Sequence, residues 1–117
     1  MTKTANDVVT LALKRLQIIG AGESADGDDY ADAYNEYLVF HEWGRDTWPR
    51  SWSWNAEAVD DRYWTNVAGV LAGRLLGVFP VSQETRANAE REAAKAETYL
   101  RQQFTKKPRT TVQMQVV

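Results

Sequence analysis

The pair His41-Glu42 is the first place in this chain where chemistry could be done. On a helix, a zinc protease needs a second histidine three residues after such a glutamate, which then acts as the base. That position is Arg45, and His41 is the single histidine in the sequence. The pair therefore reads as a helix-face or core histidine. Asp26, Asp28, Asp29 and Asp32 resemble the opening of a calcium loop, which requires a glycine at its sixth position and a glutamate at its twelfth. Counted from Asp26, those positions are Ala31 and Tyr37, so the acids fit a helix N-terminus with a solvated face instead. Neither a nucleophile elbow, nor a phosphate-cradling loop, nor a dinucleotide fingerprint is present. Gly20-Ala21-Gly22 follows a helical stretch and reads as a helix stop. With no nucleophile–base pair, the chain is expected to be no enzyme and to use no cofactor or metal.

Two other groups of residues carry information. Lys106, Lys107, Pro108 and Arg109 form a short basic run, after which Val112, Met114 and Val116 alternate with Gln113 and Gln115. That alternation is a strand pattern at the end of a helical chain. A lone strand cannot satisfy its own backbone groups, so the segment is either disordered until bound or adds to a partner's sheet. The basic run alone would be a solvated tail; joined to the alternating end, it favours a docking arm. The five tryptophans, Trp43, Trp48, Trp52, Trp54 and Trp64, all fall in one stretch. They read either as an aromatic cluster closing one end of a bundle or as interface anchors, where tryptophan is enriched. The expectation is a division: Trp43 and Trp64 in the core, Trp48 or Trp52 and Trp54 partly interfacial.

Composition bounds these readings. At 117 residues and 44% hydrophobic, the chain has room for one domain with a real core. A net charge of −2 argues against a protein whose main business is gripping nucleic acid. Cysteine is absent, which removes disulfides and thiolate chemistry and suits a reducing cytoplasm. No apolar run approaches a membrane span, and no signal-peptide pattern is read.

The elements that must position these residues are helices. Thr4 reads as an N-cap with Asp7 completing a capping box, and Val8, Val9, Ala12, Leu16 and Ile19 share one face of a helix over 6–19, with Leu13 flanking it. A second helix, capped by Ser24 or Asp26, presents Tyr30, Ala33, Tyr34, Tyr37, Leu38 and His41 inward and ends near Trp43–Trp48, ahead of Pro49. An irregular joint spans 44–58. A third helix from Asp60 or Asp61 to Gly77 has Tyr63, Val67, Val70, Leu71 and Leu75 on its apolar face, with Trp64 beside it. Its glycines at 69, 73 and 77 recur every four residues and call for close approach of another backbone. Ser82 caps a fourth helix over 83–104, whose Ala89, Ala93, Ala96, Leu100 and Phe104 line one face. The fold expected is all-α: a small bundle of about four helices over 1–104, with an irregular Trp-rich joint between helices 2 and 3 and an extended C-terminal arm over 105–117.

This order of elements resembles the head-to-tail connector (adaptor, or head-completion) proteins of tailed bacteriophages. The residues that carry the resemblance are Ala12-Leu13-Lys14-Arg15-Leu16 leading to Ile19-Gly20-Ala21-Gly22-Glu23, then Asp32-Ala33-Tyr34-Asn35-Glu36-Tyr37-Leu38, a Trp-containing segment, and glycine- and alanine-rich third and fourth helices. It covers roughly residues 4–104, and departs from the family in a tyrosine-rich second helix and a more tryptophan-rich joint. The resemblance implies a structural protein of the virion neck, formed in the host cytoplasm during assembly. Its copies, as monomers beforehand or already joined, would form a ring, commonly of twelve, beneath the portal protein and above a tail or second connector protein. DNA would pass through the ring or be retained by it. The arm, with Lys106, Lys107, Pro108, Arg109, Val112, Met114 and Val116, would reach onto the portal. Asp28, Asp29, Asp32 and Glu36, with Trp48, Trp52 and Trp54, would face a neighbouring subunit or the channel. The competing class is a small helical binding module, such as a DNA-binding regulator. Its helix-turn-helix would centre on Val78–Ser82, where a mixed-charge second helix counts against it.

Overall fold

Thr4 starts the first helix as its side chain dictates. Its hydroxyl accepts from the Asp7 backbone N–H, and the Asp7 carboxylate accepts from the Thr4 N–H, a complete capping box. The computed structural model describes residues 2–20 and 27–105. In chain order these form β1 (Thr2–Lys3), α1 (Ala5–Arg15), α2 (Gly27–Thr47), β2 (Val59–Asp60), α3 (Trp64–Leu75) and α4 (Gln83–Phe104). The fold is the all-α arrangement of four helices, with one small sheet that the sequence reading lacks. In that sheet β1 and β2 pair antiparallel, Thr2 opposite Asp60 and Lys3 opposite Val59. Two residues per strand are too few for an alternation to show. The alternating segment that does show one, Val112 to Val116, lies outside the described residues, as do the arm beyond Thr105, the cap candidates Ser24 and Asp26, and Ala21-Gly22.

α1 ends earlier than expected, and not through glycine. Gln17 takes a left-handed conformation at φ 60°. Its N–H donates to the Lys14 carbonyl, and the Ile18 N–H reaches the Leu13 carbonyl. This is a Schellman stop with glutamine in the place glycine usually fills. The helix therefore closes at Arg15, although Leu16 and Ile19 remain in the core.

α3 is the central helix. It buries Val67 to Ala72 and Leu75 and packs chiefly on α4 and α1, less on α2. The glycine spacing is explained by α4. A methyl group on Gly73 would lie 2.5 Å from Ala93 Cβ, and one on Gly69 would lie 3.2 Å from Ala96 Cβ. Small residues on both helices thus let the two backbones approach. Gly77, by contrast, is exposed in the turn after α3. Ser82 caps α4 by accepting from the Thr85 N–H at 3.2 Å, and α4 keeps the bounds its sequence sets.

Candidate functional site

The tryptophan-rich joint is where the helices are tied together. The helical bonding of α2 carries one residue past Thr47, with the Trp48 N–H on the Gly44 carbonyl. Pro49, which has no N–H, stops it there. The chain turns, and the Trp52 N–H returns to the Trp48 carbonyl at 2.8 Å. This turn lays the Trp52 indole directly on Gly44, where an added methyl would come within 2.4 Å of the ring.

Trp52 is the centre of the core, 1% exposed. Phe40 meets it edge-on at 5.3 Å, Trp54 stacks on it at 4.9 Å, and Tyr63 stacks on Trp54 at 5.7 Å. Its Nε1–H donates to Nδ1 of His41 at 3.0 Å, so the imidazole is an acceptor there and carries its proton on Nε2. Burial, then the neighbouring Arg45, holds the His41 pKa below the ordinary imidazole value, against a smaller opposing effect of Glu42. The histidine that first suggested metal chemistry is thus the hydrogen-bond partner of a buried indole. Among the described residues, no group of histidines and acids is placed to hold a metal ion.

The far end of α4 is locked into the same cluster. Phe104 touches Trp48, Trp52, Trp54 and Tyr63 with ring centroids 5.0–5.9 Å apart, and its carbonyl accepts from the Ser51 hydroxyl at 3.3 Å. Beside it opens a cleft of about 620 Å³. Arg50, Ser51 and Ser53 come from the joint, Thr2 and Asp60 from the small sheet, Arg62 and Tyr63 from the approach to α3, and Gln103 from α4, with Trp54 along one side. Hydrogen bonds from the Arg62 backbone and guanidinium hold the Asp60 carboxyl below its usual range. The indole Nε1–H of Trp54 is shielded from solvent and meets no acceptor among the described residues.

The expected division of the tryptophans is therefore corrected. Trp48 and Trp52 are buried, at 8% and 1%, while Trp43, Trp54 and Trp64 are half-buried against the core. Trp43 stacks on Phe40, and Trp64 lies under the Lys3 ammonium at 5.1 Å. The acids divide as well. Asp28 and Asp32 are exposed in the first turns of α2, and Asp29 is half-buried. Glu36 is held by Arg74 of α3 at 2.9 Å, so it braces two helices of its own chain and does not share the acids' outer face. Sequence reasoning missed Arg50 and Arg62, which no pattern flags, and Glu57. The Glu57 carboxylate accepts from the Ala5 N–H at 3.1 Å and the Tyr34 hydroxyl at 3.4 Å, fastening the loop to α1 and α2. Phe40 was signalled by its place three residues after Tyr37 on the inward stripe.

Among the described residues no helix is long and apolar enough to cross a membrane. Compared with family models, curated proteins and solved structures, the chain matches none.

Proposed function

We propose that this chain is a structural subunit of a phage neck, a connector that forms a ring beneath a portal protein, joins head to tail, and passes or retains DNA. Its work in this reading is binding, not catalysis. The observation that carries it is the fixing of α4's last turn. Phe104 is clamped by four aromatic rings and the Ser51 hydroxyl, so the basic, strand-patterned segment 106–117 departs from a rigid point of the fold. An arm with a fixed root and a sequence suited to adding onto another protein's sheet is what a docking subunit needs. The resemblance to phage connectors in helix order and small-residue spacing supports the same reading.

The test is assembly with a portal protein. Mixing should give particles of several hundred kilodaltons by light scattering, on the order of a ring of many 13.3 kDa copies. Deleting residues 106–117 should abolish them while leaving the helical circular dichroism unchanged. A chain that stays monomeric with the portal and binds duplex DNA with a steep salt dependence would overturn the connector reading in favour of a DNA-binding module.

A further inference from the structure

The cleft of about 620 Å³ beside the joint is walled by groups of both hydrogen-bonding senses. Arg50, Arg62 and the serine hydroxyls donate, while Asp60, the Gln103 side-chain oxygen and the same hydroxyls accept. Among them lie the apolar surfaces of Ala58, Tyr63 and Phe104. A ligand of one charge would leave part of this lining unmatched, whereas a peptide main chain brings a carbonyl and, proline apart, an N–H at every residue. The cleft also sits at the root of the arm. Gln103 and Phe104 form part of its wall, and only Thr105 separates them from the segment 106–117. That root is fixed, because four aromatic rings and the Ser51 hydroxyl hold Phe104.

The sequence of the arm divides in two. Lys106, Lys107 and Arg109 come first, and from Thr110 to Val117 no side chain is charged. The cations thus belong at the carboxyl end of α4, whose last carbonyls favour positive charge, and only neutral residues need meet the arginines of the cleft. Lys106 to Arg109 span at most roughly 14 Å when extended, so the neutral half begins within reach of the cleft in its own molecule. Its alternation supplies two faces: Val112, Met114 and Val116 on one side suit Ala58, Tyr63 and Phe104, and Gln113 and Gln115 on the other suit solvent. We propose that the cleft receives residues 110–117 of the same chain as an extended strap. A tether this short presents the strap at an effective concentration on the order of 1 mM, so in dilute solution its own cleft wins over that of another copy. The proposal rests on the reading of 106–117 as a docking arm and adds where the arm is held before another protein takes it.

The experiment uses the full chain, which has no cysteine, so Gln115→Cys gives one attachment point for a nitroxide on the side of the strap away from the cleft. NMR of the isotope-labelled, spin-labelled protein at about 50 µM, well below the effective concentration, reads which amides the nitroxide broadens. The signals of Arg50, Ser53, Ala58 and Arg62 should be lost, and those of Thr98 and Gln102 kept. The latter two lie near the same root on another part of the α4 surface, where an arm without a seat would broaden them as strongly. Adding Val112→Asp/Val116→Asp to the labelled chain should restore the cleft signals. Equal broadening of cleft and α4 surface overturns the proposal, as does broadening that survives the double substitution. So does broadening of isotope-labelled chains without nitroxide when they are mixed with spin-labelled chains, since the strap would then belong to a second copy. The two readings fail separately. Portal-bound particles with no selective broadening would remove the strap and leave the connector; selective broadening without particles would do the reverse.

Discussion

Two regions of this small domain solve the same problem, joining helices tightly, with opposite materials. Along α3 and α4 the contact is made by subtraction: Gly69 and Gly73 meet Ala96 and Ala93, so backbones approach with little side chain between them. At the joint it is made by addition, with the indoles of Trp48, Trp52 and Trp54 and the rings of Phe40, Tyr63 and Phe104 filling the space where the chain is irregular. Each region still depends on a glycine, Gly73 in one and Gly44 in the other. The difference lies in what the glycine faces. Gly73 faces a methyl on a neighbouring helix, whereas Gly44 faces the flat of Trp52, itself held by His41 and wedged between other rings. A regular seam can be altered in matched pairs, while a cluster with one shared centre should fail as a unit.

The largest effect should come from removing that centre. Trp52→Ala should cost about 3–5 kcal/mol, because a fully buried indole is lost and Nδ1 of His41 is left without its donor. Urea unfolding reads this directly. A loss below about 1 kcal/mol would show that the joint is not the keystone of the core. Trp54→Phe should be far milder, since it keeps an aromatic ring between Trp52 and Tyr63 and removes a donor that has no acceptor among the described residues.

The paired glycines sharpen the contrast. Gly44→Ala puts a methyl within 2.4 Å of the Trp52 ring and should cost about 2–3 kcal/mol, near the upper end for overpacking. Gly73→Ala brings a methyl to 2.5 Å from Ala93 Cβ; both glycines lie inside helices and gain about 1 kcal/mol of propensity, so the smaller net cost expected at Gly73 comes from its facing one methyl and not a wedged ring. Adding Ala93→Gly should restore room at the seam, with a coupling of about 1–2 kcal/mol in a double-mutant cycle. Strict additivity at the seam would mean that α3 and α4 simply slide apart, and the contrast with the joint would be lost.

How far these regions were legible in the sequence follows from the same contrast. The seam could be read, because glycines at 69 and 73 and alanines at 89, 93 and 96 keep a helical period, and period is visible one residue at a time. Thr4 with Asp7, and Ser82, were legible as caps because their bonds are local. The joint was not. Outside regular structure no period says which way an indole points, so the sequence leaves Trp52 among the candidates for a partly interfacial tryptophan, whereas it is the most enclosed of the five. The cleft was hidden for a related reason. Arg50, Arg62, Thr2 and Gln103 are far apart in sequence and meet only because Phe104 and the two-residue strands are drawn to one place.

The pH response should separate the regions again, because among the described residues the buried imidazole, His41, is bonded to the joint. The His41 pKa is lowered on folding by burial and by Arg45. Below about 6.5, the ordinary imidazole value, the unfolded chain therefore takes up a proton that the folded chain resists. Stability contributed by neutral His41 should be complete above that pH and fall as pH drops, levelling off once the folded imidazole also protonates. His41→Asn keeps an acceptor near the Nδ1 position and should flatten the slope in this window, whatever it does to absolute stability. Carboxylates elsewhere titrate in both proteins and cancel in the comparison. An unchanged slope in His41→Asn would show that the Trp52–His41 bond does not couple the joint to pH.

The smallest effect tests a third use of glycine, the one the chain leaves unfilled. Gly44 and Gly73 are set by what lies against them. Gln17 is the inverse case: its φ of 60° is a conformation that favours glycine, and the Schellman bonds of Gln17 and Ile18 hold it there. A side chain in that region costs about 1 kcal/mol or a little more. Glycine would remove this strain and add freedom to the unfolded chain, which offsets part of the gain. Gln17→Gly should therefore stabilise the domain by about 0.5–1 kcal/mol, a rise of a few degrees in Tm for a chain of this size. Gln17→Ala should show no such gain, since the methyl meets the same backbone restriction. Should both substitutions behave alike, the end of α1 would be set by side-chain contacts of Gln17 and not by the left-handed turn.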